Sequence, residues 1–367
     1  MKLFKALPTK IMPSGNKFVP TLYNKICRSE SCWNVLKCSS LGNFKVHVDL
    51  LSTFLIEKEL ESKIFPSIEF YELYKWIKSS PYYTEKVEES CIRIPAIDLL
   101  SYGRVQKFEN EIGEFIQNRS SWNDGLNNVV FNFHSPMSNI TGKADTFENL
   151  PSGKSLIASS SLRHSTVRYG FDVPIPYYSK LVDKFSNSET ITDVKRPLDM
   201  LILGNLRSDI QSVLDGFLES IQSSKFAILK LKNCDPLNNF DLREPICDQV
   251  HLNSMNLNTV SVVSNIQFDF EHEVKVVFTQ SRYCLITFNE FDSFQNLYLS
   301  VALASGCVPI IVGMDHILPY ETFIDWSLAL DRIDIREIQF LQTFLEPNYS
   351  ISDKRAQGTF LLKYTHQ

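Results

Sequence analysis

Apolar and polar positions along the chain fall into two alternations of strand-like and helix-like segments. FKVHVDLL (44–51) alternates with period two and predicts a strand. Residues 57–78 hold helical spacing, with Leu60, Ile64, Phe70, Leu73 and Trp76 as candidate core positions. CIRIPAIDLL (91–100) reads as a strand, 104–118 as a helix, and Trp122-Asn-Asp-Gly as a turn. NVVFNFHS (128–135) is nearly continuous in apolar residues, as a buried parallel strand would be. SLIASSSL (155–162) and FDVPIPYY (171–178) are extended in character.

The second alternation follows LVDKFSNSETITDVKRP (181–197), a polar stretch ending in proline that reads as an interdomain linker. DMLILGNL (199–206) predicts a strand and turn, and 208–222 a helix with Ser208 as its N-cap. FAILKLKNC (226–234) and RYCLITF (282–288) predict strands. SFQNLYLSVALAS (293–305) predicts an amphipathic helix stopped by Gly306, and CVPIIVG (307–313) a further strand. Residues 334–346 and 353–364 read as closing helices. The expected layout is an irregular arm over 1–42, α/β lobes over 43–180 and 198–346 separated by the 181–197 linker, and a closing helix over 347–367.

Composition narrows the class. The chain has 367 residues, 44% of them hydrophobic, enough for two cores and incompatible with disorder along its length. Its net charge is −5, from 37 basic and 42 acidic residues, and no basic stripe runs along it, which argues against nucleic acid. No apolar run reaches the roughly 18 residues that span a bilayer, so no transmembrane segment is expected. The opening MKLFKALPTKIMPSG is interrupted by Pro8, Lys10 and Pro13 and does not read as a signal peptide. The eight cysteines nevertheless point toward an oxidising compartment. Their spacing is compatible with a small loop closed by Cys27 and Cys32 and a staple across the turn-rich stretch between Cys234 and Cys247. Spacing alone leaves the connectivity open. Sequons at Asn118, Asn139 and Asn348 favour the same compartment. No C-x-x-C occurs and the histidines are scattered, so no zinc site or other metal is expected.

Four phrases, in order, resemble the exostosin glycosyltransferases that build heparan sulfate. They are SESCWNVLKCSSLGNFKVHV (29–48), WNDGLNNVVFNFHSP (122–136), VRYGFDVPIPYYSK (167–180) and CVPIIVGMDHILPYETFIDW (307–326). The resemblance implies a glycosyltransferase-B fold, two Rossmann-like lobes facing a cleft. It implies disulfides Cys27–Cys32, Cys38–Cys91, Cys234–Cys247 and Cys284–Cys307, and a place in the Golgi or endoplasmic reticulum lumen. Within these phrases Trp122, Gly125, Pro309 and Trp326 read as packing and turn residues. Asp172 reads equally as a cap on backbone amides or as a residue facing the cleft.

Two departures from the family bear on function. Its full-length members carry a second transferase domain with a D-x-D motif, and no D-x-D occurs here, so that activity is expected to be absent. In the donor lobe, active members place an arginine and a glutamate where Tyr298 and Val301 stand. The whole segment 284–313 holds no lysine or arginine, and Glu290 and Asp292 would repel a diphosphate. One such charge about 4 Å from a phosphate costs about 4 kcal/mol at an effective dielectric near 20. Arg207 is the nearest cation in sequence suited to a phosphate. Glu271, His272 and Glu273 read as a charged surface. The resemblance therefore implies a non-catalytic subunit without a cofactor. Its partner would be a full-length exostosin-like glycosyltransferase whose polymerisation it stimulates, with the heparan sulfate chain as a further ligand. The alternative is an active inverting glucuronosyltransferase using UDP-glucuronate, with Asp172 as base and Arg207 on the phosphates. A cytosolic binding protein is a third reading, opposed by the cysteines and sequons.

Overall fold

The computed structural model describes residues 27, 31–39, 44–50, 66–98, 122–133, 153–165, 167–177, 182, 196–203, 276–287, 295–338, 341, 351 and 353–358, together with the backbone of 226–235 and 246–255. Apart from short stretches outside these residues, chain contacts divide it into two units between Ile175 and Pro176. Of the expected linker, only Val182, Arg196 and Pro197 lie among the described residues, and the expected helices over 104–118 and 208–222 lie outside them.

The amino-terminal unit is built from α1 (Val35–Ser39), β1 (Val46–Val48), α2 (Ile68–Ser79), β2 (Ile92–Ile94), β3 (Val129–Asn132), β4 (Leu156–Ser159) and β5 (Val173–Pro174). All its strand pairs are parallel. β1 runs beside β2 with Val46 opposite Ile92, and β3, β4 and β5 pair in that order. A single bridge from Arg93 to Asn128 links β2 to β3. The strands are two to four residues long, and β1, β2 and β3 bury the apolar side chains of Val48, Ile94, and Val129 with Val130. α2 starts at Ser67, whose hydroxyl accepts from Phe70 N and whose own N–H donates to the buried Asp98 carboxylate. The Trp122–Gly125 turn takes positive φ at Asn123, Asp124 and Gly125. Gly153 lies against it, where a Cβ would come within 2.4 Å of Asp124 O.

The carboxyl-terminal unit is a six-stranded sheet in the order β11-β10-β9-β6-β7-β8. These strands are β6 (Leu198–Leu203), β7 (Phe226–Asp235), β8 (Ile246–Met255), β9 (Ser281–Thr287), β10 (Val308–Val312) and β11 (Asp331–Ile333). Every pair is parallel except β7 with β8. Both faces are covered, which is why β6, β9 and β10 read as unbroken apolar runs. Met200, Ile202, Tyr283, Leu285 and Ile310 pack on one side with Ile333, Ile338 and Leu341. Leu201, Leu203, Cys284, Ile286 and Ile311 pack on the other beneath α3 (Gln295–Ser305).

This helix corrects the amphipathic expectation: all of its 11 residues are buried. The sheet covers one side of it, and Leu318, Ile324, Trp326, Ala329 and Leu330 close over the helix from the chain after β10. A helix hydrophobic all round is a core element rather than a surface one. Strands β8 and β11 were not expected. β8 lies in a polar stretch, and β11 has only three residues. The expected helix at 334–346 is a three-ten turn over 335–338 among the described residues, and 353–358 is helical as expected.

Candidate functional site

In an open parallel sheet, ligands sit at the carboxyl ends of the strands. In the carboxyl-terminal unit that edge is formed by Leu203, Thr287, Val312 and Ile333. A nucleotide diphosphate bound there would need cations or free helix-terminal amides. The described cations of this edge are committed elsewhere. Arg332 Nη1 pairs with Glu321 at 3.0 Å, and its Nη2 donates to His316 O at 2.8 Å. Arg336 is exposed and bound to Asp334 at 2.8 Å, and its hydrogen bond pulls the Asp334 carboxyl down to about 2.

The other described cations of this unit gather at the opposite, amino-terminal edge. Arg282 pairs with Asp199, Lys354 with Asp331, and Arg355 Nε donates to Gly306 O at 2.8 Å. Arg196 Nη1 donates to Phe278 O and Ser281 O, and its Nη2 to Ser305 O at 2.7 Å. Arg196 thereby caps the carboxyl ends of both the 276–280 helix and α3, where a cation is favoured by the helix dipole. Burial, and then the charge of Arg355, lower its pKa to about 10, so it stays charged at neutral pH.

Tyr298 and Val301 are 3% and 1% exposed and belong to the core around α3. Arg207, Glu290, Asp292 and Glu271–His272–Glu273 lie outside the described residues. At the end of β9, Thr287 Oγ1 is buried with no hydrogen-bond partner among the described residues.

In the amino-terminal unit Asp172 is fully engaged. It accepts from Ile157 N at 3.0 Å, from Arg168 N at 3.0 Å, and from Arg168 Nε and Nη2 at 3.0 and 2.6 Å. Arg168 also donates to Ser155 O and stacks over Phe171, its Cζ 4.8 Å from the ring centroid. These bonds tie the 168–172 turn to β4 and favour the capping reading of Asp172. Its i−4 spacing from Arg168 was the signal for this pair. A second buried carboxylate, Asp49 at the end of β1, accepts from Arg93 Nε and Nη2 at 2.9 and 2.6 Å. His47 Nε2 lies 3.6 Å from the same oxygen, and its Nδ1 is 3.0 Å from Thr84 O. Sequence reading missed this cluster, although polar residues on the buried side of FKVHVDLL were its trace.

Residues 41–346 match the family model for the exostosin GT47 domain. The chain belongs to the exostosin family. It is 22% identical to exostosin-2 of Mus musculus over 327 residues, which is 89% of this chain and 42% of that protein. To exostosin-2 of Homo sapiens it is 23% identical over 325 residues, 88% of this chain and 41% of that protein. To the exostosin-1 homolog of Caenorhabditis elegans it is 24% identical over 321 residues, 84% of this chain and 77% of that protein. The chain therefore spans about two-fifths of the length of its exostosin-2 relatives.

The cysteines of this exostosin follow the family pairing wherever their side chains are described. Cys27–Cys32, Cys38–Cys91 and Cys284–Cys307 are disulfides. Cys234 stands directly opposite Cys247 in the β7–β8 register, a position compatible with the fourth bond, whose sulfurs lie outside the described residues. Cys27–Cys32 packs on Phe171, joining the arm to the Phe-Asp-Val phrase. Disulfides at these positions point to the secretory pathway. Among the described residues no helix is long and apolar enough to cross a membrane. Asn118, Asn139 and Asn348 lie outside the described residues. Trp122, Pro309 and Trp326 are buried, as expected of packing residues, and Trp326 Nε1 donates to Pro319 O at 2.8 Å.

Replacing Arg196 with alanine leaves the Phe278, Ser281 and Ser305 carbonyls without this donor. The expected loss is about 2–3 kcal/mol, set by charged hydrogen bonds at partly buried acceptors. Urea denaturation of Arg196→Ala checks it, with Arg196→Lys expected to recover only part of the stability because one ammonium cannot fork across three carbonyls.

Proposed function

We propose that this exostosin chain is a non-catalytic subunit of heparan sulfate biosynthesis. It binds a full-length exostosin-like glycosyltransferase in the Golgi or endoplasmic reticulum lumen and stimulates that partner's chain polymerisation, with no metal or cofactor of its own. The observation that carries this reading is the donor edge. Tyr298 and Val301 lie within the core, segment 284–313 has no cation, and Arg332 and Arg336 are neutralised by Glu321 and Asp334. Each unit keeps its parallel strands and its described disulfides, so what the chain retains is surface for association.

The competing reading is an inverting glucuronosyltransferase that uses UDP-glucuronate, with Asp172 as its base and Arg207 on the phosphates. A general base needs an oxygen within reach of the acceptor hydroxyl. The Asp172 carboxylate is 5% exposed and occupied by Ile157 N and Arg168, which counts against it.

Co-expression with full-length exostosins of the same organism, followed by size exclusion and a polymerisation assay, tests the subunit reading. The chain is expected to co-elute with one of them and raise its rate. Titration calorimetry of the purified chain with UDP and UDP-glucuronate is expected to show no binding. A micromolar dissociation constant, about −8 kcal/mol, would favour the transferase instead. Separate elution in every pairing, with polymerisation unchanged, would end the subunit reading.

A further inference from the structure

The residues from α2 to β2, with the start of β1 beside them, gather apolar side chains at the surface. Phe44, Tyr71, Trp76, Tyr82 and Val87 are five of the eleven large hydrophobic side chains exposed among the described residues. A cluster of this kind marks an interaction surface, whereas single exposed residues need no explanation. Phe44, Tyr82 and Val87 are 44%, 56% and 39% exposed, and Tyr82 stands edge-on to Phe44 at 6.0 Å. Backbone bonds hold the cluster in place. Val46 N donates to Tyr82 O at 2.8 Å, Thr84 N to Val46 O at 2.9 Å, and Cys91 N to Lys45 O at 2.8 Å. The segment between Thr84 and Cys91 is thus tied at both ends to the start of β1. A surface fixed in this way loses little conformational entropy on docking.

The charges here have both signs. Lys75 is paired with Glu72 at 3.0 Å and Lys86 with Glu89 at 2.6 Å. Lys45 and Lys78 have no carboxylate partner among the described residues. Lys45 Nζ reaches Pro81 O at 3.4 Å, and Lys78 Nζ lies 5.4 Å from the centroids of both Tyr74 and Tyr83. Glu85 and Glu88 are exposed and have no basic group at ion-pair distance among the described residues. Two unpaired lysines therefore border the Pro81–Tyr83 turn, and two unpaired glutamates follow it. Their charges cancel, so the surface has no net attraction for an anionic membrane, which is held by about four to eight basic residues. Docking that buried either pair unmatched would be disfavoured. A fitting partner must supply carboxylates, ammonium groups and apolar area together. The same surface on a second copy supplies that set, because in an isologous contact residue i of one copy meets j of the other and j meets i.

We infer that this surface pairs with itself across a two-fold axis between two copies of the chain, with Phe44, Tyr82 and Val87 at the centre and Lys45 and Lys78 of each copy facing Glu85 and Glu88 of the other. Tyrosine at the centre of an interface is a common source of its binding energy. The contact uses no residue of the donor edge and no transferase. It therefore goes beyond the subunit reading and does not depend on it.

The test is sedimentation of the purified chain from about 1 to 100 µM, repeated with Lys45→Glu/Lys78→Glu and with Glu85→Lys/Glu88→Lys. The parent is expected to form a dimer whose fraction grows with concentration. Each reversed protein brings like charges together and is expected to dimerise at least about tenfold more weakly. Mixing the two reversed proteins in equal amounts restores opposite charges on both sides of the axis and is expected to restore a dimer containing one of each. Tyr82→Ala introduced into both is expected to abolish that rescue, which separates a specific contact from bulk attraction between an acidic and a basic protein. Thermal melts of each variant confirm that it is folded, which exposed substitutions should permit. The inference is overturned if the parent stays monomeric at the highest concentration, if either reversed protein dimerises as the parent does, if mixing does not restore the dimer, or if rescue survives Tyr82→Ala. A monomeric parent that co-elutes with a full-length exostosin, and loses it in the reversed proteins, overturns it in favour of an interface with that partner. Self-association and co-elution are separate readouts, so this contact and the subunit reading can fail independently.

Discussion

Val301→Glu is expected to destabilise the protein severely and to restore no nucleotide binding. Val301 is 1% exposed within the core around α3, among Leu201, Leu203, Ile286 and Trp326. No lysine or arginine exists anywhere in 284–313 to meet a carboxylate there. An uncompensated buried charge costs about 3–5 kcal/mol. The carboxyl would escape part of that by staying protonated, so its folded-state pKa would lie above the ordinary value near 4.3. The sign follows. Below the unfolded-state pKa the variant suffers only steric and polar costs, and the penalty grows as pH rises between the unfolded and folded values. Thermal melts at pH 5 and pH 8 should show the larger deficit at pH 8, with a fall of about 10 °C or more at about 2–4 °C per kcal/mol. Val301→Ala at both pH values isolates the cavity contribution. A variant that melts like the parent and binds UDP at micromolar concentration would mean that the α3 face opens to ligand and that the donor-edge argument is wrong.

Removing the Cys38–Cys91 bond is expected to cost about 4 kcal/mol, roughly twice the cost of removing Cys27–Cys32. The two bonds close sequence separations of 53 and 5 residues. Chain-entropy arithmetic gives about 4 and about 2 kcal/mol for loops of these lengths. The longer bond also holds a buried network in place. Asn127 Nδ2 donates to Cys91 O at 2.9 Å, and Asn127 Oδ1 accepts from Asn34 N at 2.7 Å, so the arm is tied to the first strand pair through one side chain. Guanidinium denaturation of the Cys38→Ala/Cys91→Ala and Cys27→Ala/Cys32→Ala proteins measures the difference. Equal losses, or a larger loss for the short loop, would show that packing on Phe171 outweighs chain entropy at these sites.

Much of the candidate site was legible in the sequence because it consists of missing residue types. The lack of cations in 284–313 needs no structure to be seen. The meaning of Tyr298 and Val301 did need it, because helical spacing assigns a residue to a face but not to what covers that face. Expecting α3 to be amphipathic assumed that one side met water, whereas 318–330 closes over it. Asp172 was open in the sequence between cap and cleft, and the Arg168 contacts favour the cap. Arg196 was read as part of a polar linker, yet it anchors two helix ends.

By itself, the sequence determined the strands β1 to β7, β9 and β10, the buried run of α3, the three disulfides whose sulfurs are described, and membership in the exostosin family. These follow from period-two and continuous apolar patterns over five to ten residues, and from phrases conveyed whole by resemblance. Only the tertiary structure decided the strand order, the antiparallel β8, the short β11 and the partners of the buried charges. The reason is range. A local pattern reports what a segment prefers, whereas Arg196 meets Ser305 across 109 residues and Asn34 meets Asn127 across 93, and only the folded chain brings such pairs together.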